Sequence, residues 1–205
     1  MNFKYIFLLQ SNQTLYLQKE KQTKTSICKM TSFGNPLSLI YHEKQQEALC
    51  AVHCINNLLQ GDYSNAGDLA QIAQQLDDLE EKMLSENGKN SLDYKNYIAR
   101  GKTNVSNSGD FSIQVVQEYL KIYGIELIWL HEGNSETKNI FENPTLEKSL
   151  RLIFFFKSSK KGFICNLNSH WLCLREFNKI WFKLDSTQKQ PEFVSPTYLR
   201  FFFFK

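Results

Sequence analysis

Charge of one sign is in short supply here: 24 Lys and Arg against 21 Asp and Glu leave a formal +3 over 205 residues. The two signs are interspersed through the middle of the chain. No electrostatic footprint for nucleic acid stands out, so nucleic acid is not an expected partner. Long apolar runs are scarce too. The opening MNFKYIFLLQSNQ is broken between Gln10 and Gln13, before the length of a signal-peptide core or a membrane span is reached, so no membrane is expected. Cysteine is sparse and odd in number: Cys28, Cys50, Cys54, Cys165 and Cys173 lack the spacing of a disulfide framework, and a reducing cytoplasm or nucleus fits them better. Paired C-x2-C elements are missing. A zinc site drawn from Cys50, His53, Cys54 and Cys165 or His170 is therefore a weak rival, since adjacent His53 and Cys54 point in different directions on a helix. What the chain does have is 42% hydrophobic residues, enough for one globular domain that buries its own core without staples.

Residues 1 to about 38 are rich in Gln, Lys, Thr and Ser and end in the turn-prone Gly34-Asn35-Pro36. They predict a flexible basic arm ahead of a domain spanning 39–205. Between Leu49 and Gln60 the apolar residues Ala51, Val52, Ile55, Leu58 and Leu59 recur with helical spacing, and Gly61 follows where a left-handed terminal residue is wanted. Cys50 thus opens a helix. Leu69, Ile72, Ala73, Leu76, Leu79 and Met83 predict a second helix, ending at Asn87-Gly88, with a shorter returning arm through Leu92, Tyr94, Tyr97 and Ile98. The face with Asp77, Asp78, Glu80, Glu81 and Lys82 is read as solvated. Ser112 is placed to cap a third helix, stopped by Gly124 before the strand-like Ile125 to Leu130. Short apolar and aromatic segments at Gly162 to Asn166, His170 to Glu176 and Ile180 to Asp185 then predict a meander. Helices followed by strands argue for an α+β fold, a helical hairpin packed on an antiparallel sheet.

A thiol nucleophile needs a lowered pKa, a proton shuttle and a donor for the developing oxyanion. Cys50 at a helix start, His170, Asp185 and Gln45 supply those roles. If Phe177-Asn178 forms a two-residue hairpin loop, Glu176 pairs with Lys179 and His170 falls opposite Asp185. Directly opposed residues have Cβ atoms roughly 4.5 to 5.5 Å apart, close enough for a carboxylate to accept an imidazole N–H. Moving the loop by one residue shifts the pairing by two and keeps both side chains on one face. The carboxylate would favour imidazolium, and imidazolium with the helix N-terminus would favour a Cys50 thiolate. Gln45, five residues ahead, can aim its amide at an oxyanion beside Cys50, with the Cys50 backbone N–H as second donor. Cys54, Cys165 and Cys173 are read as buried packing, and His53 as a structural or surface histidine.

These residues resemble the Josephin family of cysteine-dependent deubiquitinases, its ataxin-type branch. The likeness runs through IYHEKQQEALCAVHCINNLLQGDY, DLAQIAQQLDDLE, FSIQVVQEYLKIYGIEL, FICNLNSHWLCLREFNKIWFKLDS and VSPTYL. It implies a papain-like cysteine protease (Josephin) fold that uses no metal or organic cofactor. It also implies hydrolysis of the isopeptide or peptide bond at the C-terminal glycine of ubiquitin through a thioester. Cys50 would be the nucleophile, His170 the base, Asp185 the third member where relatives carry Asp or Asn, and Gln45 the oxyanion donor. Ubiquitin and ubiquitinated proteins are the implied partners of a monomer, with Tyr63, Tyr123 and Trp171 as candidate ubiquitin contacts and the 67–98 hairpin flanking the ubiquitin tail. An insertion at 149–161 and a C-terminus ending at Phe201 to Lys205, ahead of the family's last helix and strand, are expected departures. Two alternatives stay open: an impaired ubiquitin-binding protein, and another papain-like peptidase or acyltransferase.

Overall fold

The computed structural model describes residues 36–106, 108–128, 153–156, 161–195 and 197–199. Nearly all of the predicted basic arm, much of the 149–161 segment and Phe201 to Lys205 lie outside them. Among the described residues a short 3-10 turn at Pro36–Leu39 is followed by the helices α1 (Cys50–Leu59), α2 (Ala66–Glu86), α3 (Leu92–Arg100) and α4 (Ile113–Lys121). The described strands that follow are β1 (Ile125–Ile128), β2 (Ile153–Phe156), β3 (Lys161–Leu167), β4 (His170–Phe177), β5 (Ile180–Leu184) and β6 (Glu192–Val194). They form one antiparallel sheet in sequential order. The chain is an α+β papain-like fold, as its sequence predicts. Part of the predicted insertion is strand β2, which pairs between β1 and β3.

Helix α1 is buried nearly all round, Asn56 and Asn57 included, and packs on β4. Alternation along β4 turns Trp171, Cys173 and Phe177 into the same core as Ile55, Leu58 and Leu59. The approach is close because residue 162 is glycine: a Cβ there would meet Leu58 Cδ1 at 3.3 Å and the Leu174 carbonyl at 3.4 Å. The buried Arg175 guanidinium donates to the Leu58 carbonyl at the end of α1 and lies 5.2 Å from the Phe177 ring centroid. It thereby places a cation at the negative end of the helix. The left-handed residue after α1 is Gln60, at φ 65°, rather than the expected Gly61. The Gln60 side chain makes up for the strain by gripping the Tyr41 backbone through N–H and C=O at 3.0 Å each. Glycine at 61 serves space instead, since its Cβ would lie 2.7 Å from the Tyr63 ring.

Side-chain caps start the other helices. Asn65, Ser91 and Ser112 accept the N–H of Asp68, Tyr94 and Val115. The α2–α3 hairpin packs chiefly through α2 on α4, which itself lies against β1 and α1. One sequence expectation fails on it. Asp77, read as solvated, is 2% exposed; its carboxylate accepts Asn104 Nδ2 at 2.7 Å and its backbone carbonyl accepts the Tyr97 hydroxyl at 3.0 Å. The returning chain covers it. Leu79 and Met83, which share the apolar spacing that predicts this helix, are exposed along with Leu92 and Ile98, because the buried residues of α2 stop at Asp77.

Candidate active site

Helix α1 starts without a side-chain cap: its N-cap is Leu49, which offers none. The first backbone N–H groups are therefore left for other acceptors. Those of Cys50 and Ala51, with the N–H of Trp171, point at the Cys50 sulfur and favour its anion. The sulfur is also 4.0 Å from the Ser169 carbonyl, so it rests against the backbone on both sides of His170. Sequence reasoning expects a depressed thiol pKa. The structure corrects this: burial, the largest influence, pushes the Cys50 thiol up, and the charge of Asp110 adds to it, outweighing the backbone donors. Cys50 is 4% exposed, and a desolvated sulfur holds its proton.

His170 opens β4 directly after a two-residue turn, Asn168-Ser169, with both residues at positive φ, 52° and 62°. The next hairpin has the same form. Its loop is Asn178-Lys179, at φ 48° and 67°, and Phe177 pairs with Ile180. The loop thus lies one residue later than predicted: the ladder ends at Cys173 with Leu184, and its register, continued, would set His170 opposite Thr187 rather than Asp185. The reason is chemical: Asn tolerates the left-handed region, while Phe177 is needed in the core. The expected contact survives the two-residue shift. His170 Nε2–H donates to Asp185 Oδ1 at 2.9 Å.

Asp185 leaves β5 in a turn that sequence reasoning missed. Its Oδ1 also accepts the Thr187 N–H at 3.0 Å and the Thr187 hydroxyl at 2.7 Å. Asp accepting the N–H two residues on is an Asx turn, and Asp185-Ser186-Thr187 carries that signal. Burial by itself would raise the Asp185 carboxyl, but the bonds from His170 and Thr187 prevail and hold it below its ordinary value. Ser186, also missed, is buried and anchors Gln45 twice: its carbonyl accepts the Gln45 N–H and its hydroxyl donates to Gln45 Oε1, both at 2.8 Å. Gln45 Nε2 donates to the Glu47 carbonyl at 3.2 Å, across a loop in which Glu47 takes φ 55°. Cys50, His170, Asp185 and Gln45 are thus gathered from α1, β4, the end of β5 and the loop ahead of α1.

The Josephin family model matches residues 45–205. Ataxin-3 of Homo sapiens is 40% identical over 163 residues, 80% of this chain and 41% of that protein. The chain belongs to the Josephin family. Other Josephin relatives agree: Ataxin-3 of Gallus gallus is 39% identical over 163 residues, 80% of this chain and 41% of that protein, and an Ataxin-3 homolog of Arabidopsis thaliana is 36% identical over 165 residues, 80% of this chain and 54% of that protein. This Josephin chain spans about two fifths to one half of the length of these relatives.

Of the three candidate ubiquitin contacts, two offer little surface. Trp171 is 3% exposed and donates Nε1–H to the Phe111 carbonyl at 3.1 Å. Tyr123 is 5% exposed, its ring meeting those of Tyr63 and Tyr119. Both side chains are packed in the core. Tyr63 is half-buried. Cys54 and Cys165 are fully buried thiols, pushed up by desolvation, and no group of three His, Cys, Asp or Glu residues among the described residues is arranged to hold a metal ion.

Proposed function

We propose that this Josephin chain is a cysteine-dependent deubiquitinase that hydrolyses the isopeptide or peptide bond at the C-terminal glycine of ubiquitin. The observation that carries the proposal is the His170–Asp185 pair, 2.9 Å long, at the turn whose backbone flanks the Cys50 sulfur. With Nε2–H committed to Asp185, His170 turns Nδ1 to the chemistry. That nitrogen takes the thiol proton as sulfur attacks the glycine carbonyl carbon. The oxyanion receives hydrogen bonds from the Gln45 amide and the Cys50 N–H, Ser186 having fixed which end of the Gln45 amide is the donor. His170 then protonates the leaving amine, and the same nitrogen activates water against the thioester. Burial and the charge of Asp110 hold the thiol up, so His170 is needed as the base that removes its proton. Leu79, Met83, Leu92 and Ile98, exposed on the hairpin, are the apolar surface proposed to meet ubiquitin. Four unbridged thiols, Cys50, Cys54, Cys165 and Cys173, support a reducing setting in cytoplasm or nucleus.

The raised thiol also favours a second reading, a ubiquitin-binding protein with little turnover. Ubiquitin carrying a thiol-reactive group at its C-terminus separates the two. The hydrolase forms a covalent adduct at Cys50 that Cys50→Ala lacks; the binder associates reversibly in both forms. Equal turnover of a ubiquitin–aminocoumarin amide by wild type and Cys50→Ala would remove the nucleophile assignment, and cleavage of short peptides with no reaction toward the probe would point to another papain-like peptidase.

A further inference from the structure

His53 has no part in the chemistry described so far, yet it belongs to a polar stripe. His53, Asn56, Asn57 and Gln60 recur at the spacing of one helix face, and all four grip the chain just ahead of the nucleophile. Gln60 takes both the N–H and the C=O of Tyr41 at 3.0 Å. Asn57 accepts the Glu43 N–H at 2.6 Å and donates to the Glu43 carbonyl at 3.4 Å. The Glu43 carboxylate collects donors in turn: His53 Nδ1–H at 2.7 Å, Asn56 Nδ2 at 3.2 and 3.3 Å, and the Tyr41 hydroxyl.

The other ring nitrogen closes the set. His53 Nε2 accepts the Gln46 N–H at 3.3 Å, which assigns the ring proton to Nδ1 and commits it to Glu43. That N–H belongs to the peptide plane joining Gln45 to Gln46. Ser186, at the end of β5, holds the Gln45 N–H and Oε1. Gln45, the oxyanion donor of the proposed reaction, is therefore tied both to α1, through the Gln46 N–H, and to the turn that carries Asp185.

We propose that Glu43 and His53 are positioning residues for this site: the Glu43–His53 pair fixes the Gln45–Gln46 peptide and so aims the Gln45 amide at the oxyanion. The proposal rests on the hydrolase reading above. Sub-ångström placement governs how well a donor serves a transition state, and a shift of about 1 Å can cost on the order of a hundredfold. The sulfur is served by other donors, the N–H groups of Trp171, Ala51 and Cys50, so it is left alone when the clamp is loosened.

The test is a double-mutant cycle on hydrolysis of ubiquitin–aminocoumarin by the full chain. His53→Ala lowers kcat about tenfold to a hundredfold with KM within about twofold, as for an interaction made only in the transition state. Added to Gln45→Ala it costs almost nothing more, because the group it aims is already gone. The rate of Cys50 alkylation by iodoacetamide stays within about twofold of wild type, since the thiol is not what the clamp acts on. Glu43→Gln, which keeps the side chain's shape, runs the same cycle if circular dichroism shows His53→Ala unfolded. A full, multiplicative loss in the Gln45→Ala background, or an unchanged kcat, overturns the positioning role. Turnover by wild type but not Cys50→Ala keeps the hydrolase reading in either case; equal turnover by the two overturns that reading and this proposal together.

Discussion

Replacing Asp185 separates two things a carboxylate does for an imidazole, orienting it and stabilising its charge. Asp185 Oδ1 accepts from His170 at 2.9 Å, from the Thr187 N–H at 3.0 Å and from the Thr187 hydroxyl at 2.7 Å. In Asp185→Asn the amide oxygen must occupy that place, because an NH2 there would face three donors. The NH2 then takes the position of Oδ2, 4.0 Å from Lys183 Nζ, whose closer partner is Glu192 at 2.7 Å. The His170 tautomer survives and only charge is lost. A hydrogen bond to a charged group contributes about 2 kcal/mol and a neutral one about 1 kcal/mol, so Asn should cost about 1 kcal/mol, roughly fivefold in kcat/KM. Asp185→Ala loses the whole bond and the orientation with it, about 2 kcal/mol or more, at least roughly thirtyfold. Steady-state hydrolysis of ubiquitin–aminocoumarin ranks the two. If Asn proves as damaging as Ala, Thr187 does not set the side chain's orientation and the reasoning fails.

Three further outcomes test other parts of the structure. Ser186→Ala frees Gln45 Oε1 and should lower kcat about fivefold, the worth of one hydrogen bond of about 1 kcal/mol, without changing Cys50 alkylation; a parallel fall in alkylation would show that Ser186 acts on the thiol. Burial raises the Cys50 thiol, so a thiolate forms in the unliganded protein only above the ordinary value of about 8.5. The iodoacetamide rate should then still be climbing at pH 9, and a plateau between about pH 5 and 7 that His170→Ala removes would demonstrate a resting ion pair instead. Arg175→Ala removes a buried cation from the Leu58 carbonyl and the Phe177 ring, and urea unfolding should show a loss of about 2–4 kcal/mol; a loss under about 0.5 kcal/mol would mean that the capping contributes nothing.

The His170–Asp185 contact shows how far local rules reach. Two strands with a period of two and a short loop between them leave few registers, and every even shift keeps both residues on one face. The contact is legible in the sequence even with the loop set one residue early. What misplaced it was a core demand, the burial of Phe177. The helix start at Cys50 and the Ser112 cap were legible for a like reason, because apolar period and capping are written within a few residues. Asp77 was misread on the same footing: a helical wheel records which face is polar, but a loop 27 residues away decides which polar residue is covered.

The sequence by itself determined the helices, four of the six described strands, their order, the four chemical candidates and, through the family likeness, the fold. Local pattern carries all of these, since each depends on neighbours along the chain. Tertiary structure alone decided the electrostatic state of the thiol, the double grip of Ser186 on Gln45 and the tie from Glu43 through His53 to the Gln45–Gln46 peptide. Those depend on desolvation and on distances between segments as far as 141 residues apart in the chain, quantities that exist only once the chain has closed on itself.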